Sequence, residues 1–193
     1  MFEGIVLAAG RSQRADIFKP AYLHRGRPLL LHAADCLAPW CRRIVVVAGF
    51  RSELVAALIA GEPRLELACN AAFNDGMFSS VQAGARAIDP AGTGFFVLPA
   101  DCPLIGTSLP GAMIRAFLDH GAGRAVVPEH AGRGGHPVLL PAAARSLILA
   151  ARTPATLRDV VGCLDAVRLS VATAAVLMDL DTRDDLAALA AEA

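Results

Sequence analysis

The stretch 5-IVLAAGRSQRADIFK-19 decides the fold. Ile5, Val6, Leu7, Ala8 and Ala9 make a short apolar run, which reads as a buried strand. Gly10 ends it, and the loop that follows carries Arg11, Ser12, Arg14 and Lys19 within ten residues. A glycine lets backbone approach a ligand closely, loop amides can point at anionic oxygens, and these side chains add positive charge. Those are the parts of a triphosphate site, although a surface loop that is basic by chance has the same parts. Composition adds weight: of 18 Lys and Arg residues 17 are arginine, and Lys19 is the only lysine. An ammonium is a compact charge that can follow a moving phosphate, where arginine offers a planar fork.

Outward from this loop, apolar runs alternate with helical patterns. Arg27-Pro28 introduces a helix over 29–37, with the proline at an early helical position. The β-branched run 43–48 is expected as a strand covered on both faces. Ser52 is the expected N-cap of a helix over 52–60. Further strands are expected at 65–69, 95–98, 125–127, 137–140, 167–171 and 176–178. Helices are expected from Ser79 or Ser80 to about 88, over 109–120, 142–151 and 156–164, and from Thr182 to the end. The alternation predicts one α/β domain over residues 1–193, a three-layer α/β/α arrangement around a mostly parallel, Rossmann-like sheet. A chain of 193 residues is long enough for one sizeable core.

Composition narrows the function. Net charge is zero, the chain has one Trp and one Tyr, and no basic patch is interleaved with aromatics, so nucleic acid is not an expected partner. No run approaches the roughly 18 apolar residues that span a bilayer, so a membrane is not expected either. The opening MFEGIVLAAG lacks a basic start and is read as no signal peptide. Five cysteines without a C-x-x-C pair argue for free thiols in a reducing compartment, hence the cytoplasm.

Ligands of such sheets sit outside the carboxyl ends of the strands, and several segments fall there. Asn70, after the run 65–69, can offer a donor and an acceptor to a base edge. Gly76 frees the backbone, and Ser79 and Ser80 open a helix whose N-terminus favours anions; alone, they also fit a plain serine cap after a loop glycine. Asp101 tips the strand FFVLPAD and suits a hard cation bridging phosphates, or the capping of the next turn. Cys102 beside it reads as a buried filler. Gly135 and His136 belong to a glycine-rich mouth before a strand. Asp179 and Asp181 precede Thr182, which with Asp185 resembles a capping box.

These segments also carry a family resemblance. LAAGRSQR, followed after four residues by Lys19, resembles the signature L-A-A-G-x-S-x-R-M-G-x-x-K of nucleotidyltransferases, with Ala15-Asp16 in place of Met-Gly. The chain looks most like the molybdenum cofactor cytidylyltransferases, and the sheet implied is that of nucleotide-diphospho-sugar transferases. The resemblance assigns Leu7, Ala8, Ala9, Gly10, Arg11, Ser12 and Lys19, with Asn70, Gly76, Ser79 and Ser80, to the nucleotide. It makes Asp101 a magnesium ligand and Asp181 a second one, leaving Asp179 to a structural role. Gly135 and His136 fall in a G-H-P-V segment that borders the acceptor in molybdopterin enzymes. The implied reaction moves CMP from CTP to a phosphate-bearing acceptor such as molybdopterin and releases pyrophosphate, with Lys19, Arg14 and Asp101 as catalytic groups. A recipient molybdoenzyme is an implied partner. Ala9, where guanylyl-transferring relatives have glycine, is the residue that points to a pyrimidine. The alternatives are a guanylyltransferase, a cytidylyltransferase for a sugar or polyol phosphate, or a non-catalytic carrier of the molybdenum cofactor.

Overall fold

The computed structural model of the protein describes residues 1–11, 17–152 and 154–191. The first strand, β1 (Phe2–Ala8), is buried from Glu3 onward. After the loop come a 3-10 turn (Lys19–Ala21) and a two-stranded antiparallel ribbon, β2 (Leu23–His24) with β3 (Arg27–Pro28). The next elements are α1 (Leu29–Leu37), β4 (Ile44–Ala48), α2 (Ser52–Ile59) and β5 (Leu65–Cys69). A second 3-10 turn (Phe73–Asp75) leads into α3 (Met77–Ala87), then β6 (Gly94–Pro99) and α4 (Ser108–Asp119). β7 (Val126–His130), β8 (Arg133–Gly134) and β9 (Val138–Pro141) follow, then α5 (Ala144–Ala150), α6 (Leu157–Gly162) and β10 (Val167–Ser170). A last 3-10 turn (Ala174–Leu177) precedes α7 (Arg183–Ala191).

The sheet runs β10-β7-β9-β6-β1-β4-β5, with β8 paired on β7. β1 is parallel to both β4 and β6, and β4 is parallel to β5. β9 alone in this order reverses, antiparallel to β6 and β7. Its beginning therefore lies at the edge where β6 and β7 end. Alternate residues of the strands feed two layers. Val6, Val46, Phe96 and Leu98 pack beneath α1 and α4, while Ile5, Val45, Val47 and Val97 pack beneath α3 and α5. Burying one such side chain stabilises by about 1.5–3 kcal/mol, and the double burial explains why these strands read as continuous apolar runs. A smaller cluster of Leu29, Leu180, Leu186 and Leu189 docks α7 beside the start of α1. The expected α/β/α fold with its mostly parallel sheet is the fold observed. Among the described residues, no helix is long and apolar enough to cross a membrane.

Four local expectations need correction. Residues 176–178 are not a strand: Val176 lies in a 3-10 turn whose start is capped by the Thr173 side chain. The Val176 carbonyl accepts one bond, from the His136 N–H, where a strand would need a ladder. Ser52 is the first residue of α2, and its N-cap is Arg51, in the left-handed region with φ 54°. α3 begins at Met77, before both serines, because Gly76 takes up the turn with φ 97°. Pro28 is the N-cap of α1 and pairs in the ribbon, so it stands just outside the helix.

Candidate active site

The carboxyl edge of the central strands is stitched together by backbone. The Ala100 N–H donates to Leu7 (3.0 Å) and that of Phe50 to Ala9 (3.2 Å), so the start of the glycine loop is held from both sides. Lys19 opens the first 3-10 turn, with Pro20 buried behind it. Its ammonium donates to Asp101 Oδ2 at 2.6 Å and to Asp181 Oδ1 at 3.2 Å, across 82 and 162 residues of chain. Asp101 lies just past the end of β6, and its carbonyl accepts from the Leu180 N–H at 3.2 Å, which ties residues 179–181 to that strand. Asp181 is fixed from the other side by a capping box. The Thr182 N–H donates to Asp185 Oδ2 (2.7 Å) and the Asp185 N–H to Thr182 Oγ1 (3.2 Å). Burial works to lower the Lys19 pKa, but the Asp101 charge and the two hydrogen bonds more than offset it and raise it, so the lysine is a cation.

A cleft of about 230 Å³ opens against this cluster, lined by Leu7, Ala8, Ala9, Gly10, Lys19, Phe73, Gly76, Met77, Ser80 and Asp101 among others. Most residues expected to hold a nucleotide thus meet in one place. Asn70 and Ser79 are not in that lining. Asn70 is buried, and its amide nitrogen donates to Ser79 Oγ (2.8 Å) and Ser80 Oγ (3.0 Å) while its oxygen accepts from the Ala72 N–H (3.0 Å). It knits the wall of the cleft together. Arg11 is turned onto its neighbours: its guanidinium lies over Phe73 (5.5 Å) and Phe50 (5.8 Å) and donates to Asn74 Oδ1 (3.0 Å). Ser12 and Arg14 lie outside the described residues.

A second, larger cleft of about 830 Å³ shares Leu7, Gly76 and Met77 with the first and continues past Gly135 and His136 to Glu129, Arg158 and Arg168. The expected pair Gly135 and His136 therefore lies next to the first cleft, in the neighbouring one. Gly135 has to be a glycine, since a Cβ there would run into the Val176 carbonyl. His136 Nδ1 is buried and has no hydrogen-bond partner among the described residues, while the ring bonds the Val97 backbone. Burial lowers its pKa against the opposing pull of Asp179 and Asp101, so the imidazole is neutral. With the ring bonded to Val97, Nδ1 is left as a buried lone-pair acceptor.

Asp179, which the resemblance left to a structural role, lies against this cluster. Cys102 Sγ donates to its Oδ1 at 3.3 Å, and ligand atoms of Asp101, Cys102 and Asp179 lie within 4.8 Å of one another. The thiol is not a nucleophile: burial first, then the Asp101 and Asp179 charges, push its pKa far up. Phe73, Met77, Arg158 and Arg168 were missed as well, because nothing in their local sequence marks them as lining residues. The donor set fits a hard divalent cation. Asp101 and Asp179 offer carboxylate oxygens within 4.8 Å of each other, and a positive charge, the Lys19 ammonium, already sits between Asp101 and Asp181.

Residues 4–170 match the sequence profile of the MobA-like NTP transferase domain. The chain belongs to that family. A curated relative is the molybdenum cofactor cytidylyltransferase of Escherichia coli K12, 23% identical over 181 residues, which cover 94% of this chain and 91% of that protein. Among solved structures, Rv0371c of Mycobacterium tuberculosis H37Rv superposes with a TM-score of 0.82 at 22% identity, covering 98% of this chain and 97% of the other. A manganese complex of the same mycobacterial protein aligns with a TM-score of 0.77 at 21% identity, over 100% of this chain and 99% of the other. As a member of the MobA-like family, the chain is a nucleotidyltransferase, and the glycine loop, Lys19 and Asp101 all lie within the matched span.

Proposed function

We propose that the protein transfers CMP from CTP to the phosphate of molybdopterin, releasing pyrophosphate. The observation that carries this reading is the pair of joined clefts. The small chamber is walled by the glycine loop and the Lys19–Asp101–Asp181 charges, and the larger one is lined by a neutral His136. A triphosphate suits the first by charge. A bulky heterocycle suits the second by volume and by its single buried acceptor atom. The curated relative of Escherichia coli K12, a molybdenum cofactor cytidylyltransferase, supports the choice of substrates.

Within this arrangement the acceptor's phosphate oxygen attacks the α-phosphorus in line with the departing pyrophosphate. That oxygen is ionised at neutral pH, so no general base is needed and catalysis rests on positioning and neutralisation. Lys19 moves from its carboxylates to the phosphates and holds negative charge as it gathers on the leaving group, with Arg14 as its second cation. Asp101 and Asp181 would hold Mg²⁺, or Mn²⁺ as in the mycobacterial relative. The ion would neutralise the phosphate oxygens around the reacting centre. Asn70 keeps Ser79 and Ser80 aligned along the base wall, and Gly76 gives the base room at the mouth of α3.

Ala9 sets the base preference in this reading. Ala9 lines the cleft, is 4% exposed and has its methyl beside Gly49, so it takes up room that a glycine would leave open. One methyl group is worth about 1–3 kcal/mol, or roughly 10–200-fold. The expected result is a wild-type kcat/KM that favours CTP over GTP, and an Ala9→Gly variant in which that ratio falls toward unity with activity retained. Wild-type preference for GTP would overturn the cytidylyl assignment.

A further inference from the structure

The charged cluster governs more than the phosphates. The Lys19 ammonium lies 2.6 Å from one Asp101 oxygen and 3.2 Å from one Asp181 oxygen, with side-chain exposures of 12%, 24% and 41% in that order. A divalent ion bound by carboxylates sits roughly 2.0–2.6 Å from each oxygen. An ion bridging Asp101 and Asp181 would therefore claim the space that the ammonium now fills, and two cations cannot share it. We propose that Lys19 is a specificity-determining residue of the metal site: it closes the Asp101–Asp181 pair to bare divalent ions and opens it only when a polyphosphate takes the ammonium over. The second half of this statement rests on the nucleotidyl-transfer reading; the first half does not.

The physical asymmetry is simple. A bare dication has to break the two charge-assisted hydrogen bonds from Lys19 to Asp101 and Asp181 and displace a largely buried ammonium from them. A metal–nucleotide complex brings its own phosphate oxygens, which replace the carboxylates as acceptors for the three N–H donors of the lysine. The four-carbon stem gives the ammonium the reach to change partners without moving the backbone. Metal and nucleotide then raise each other's affinity by the same factor, as linkage requires, and Lys19 is the group that carries the coupling. The site selects the metal–nucleotide complex over either component alone, and Asp181 positions Lys19 while the site waits.

The experiment measures Mn²⁺ binding by the loss of the free-ion EPR signal. It compares wild type, Lys19→Met, Lys19→Gln, Lys19→Arg and the double variant Lys19→Met/Asp181→Asn, each retained only if its thermal unfolding is cooperative. Without nucleotide, Lys19→Met and Lys19→Gln are expected to bind Mn²⁺ about tenfold or more tightly than wild type. Lys19→Arg, which keeps the positive charge, stays within about twofold of wild type, and the double variant loses the gain. With CTP present, the wild-type affinity rises about tenfold or more while that of Lys19→Met changes little. Neutral variants that bind bare Mn²⁺ no more tightly than wild type would overturn the proposal. The nucleotide-free comparison involves neither CTP nor an acceptor, so its outcome stands apart from any failure of the cytidylyl reading, which would show only in turnover.

Discussion

The two clefts meet at Leu7, Gly76 and Met77 but rest on opposite terms. In the nucleotide cleft the working groups are charged, and they are paired with one another across most of the length of the chain. In the acceptor cleft the central group is a neutral imidazole with one buried nitrogen turned to no partner among the described residues. The difference follows the ligands. A polyphosphate brings so much charge that the protein can keep its counter-charges in exchangeable pairs until it arrives. A large heterocycle brings little charge, so recognition there falls to volume and to a lone pair held in place. Substitutions on the two sides should therefore fail in different ways.

The largest effect is expected at Lys19. Lys19→Ala should lower the rate of pyrophosphate release on the order of 100-fold or more, and Lys19→Arg should also be impaired, because a planar fork cannot follow a moving phosphate as a compact ammonium can. A Lys19→Arg enzyme with the wild-type kcat would erase the contrast between the clefts, since any cation would then do. Next come the carboxylates. Asp101 is the more buried of the two and makes the shorter contact, so Asp101→Asn should raise the Mg²⁺ concentration for half-maximal activity on the order of 100-fold, and Asp181→Asn about tenfold. Equal Mg²⁺ titrations for the two variants would mean that position on a rigid strand edge counts for nothing here.

The smallest effect sharpens the comparison most. His136→Asn should raise KM for the acceptor about five- to tenfold, the value of one neutral hydrogen bond, and leave KM for CTP unchanged. Its pH dependence has a definite sign. The folded-state pKa of His136 is below that of an ordinary histidine, so the neutral form persists as pH falls past the usual range. Acceptor KM should rise only as pH drops through that lowered value. A parallel rise in KM for CTP would show that the chambers are one site.

What could be read from the sequence was whatever a short segment decides on its own. The run 65–69 is the strand β5 to the residue, because its bounds are set by local apolar pattern. Asp101 at a strand tip and the Thr182–Asp185 box are local in the same sense. The strand expected at 176–178 was lost to tertiary context: three apolar residues have β-propensity, but Val176 lies in a 3-10 turn and its carbonyl accepts the His136 N–H instead of joining a ladder. Arg51 in the left-handed region gave no warning, since nothing in its side chain favours that geometry. The approach of Asp179 to Asp101 is a fact of packing, made by the Leu29–Leu180–Leu186 cluster and invisible to any window of sequence.

The position of β1 bears on how the protein is made. It leads the chain, yet it sits in the middle of the sheet between β4 and β6, and its register with β6 pairs Phe2 with Gly94. A ribosome adding about 5–20 residues per second delivers the first partner strand within seconds but needs several seconds more for the second. Through that interval FEGIVLA has one hydrogen-bonding edge with nothing to pair to. The nascent chain must keep this strand from its neighbours on the polysome until β6 has emerged, and only then can Lys19 find Asp101.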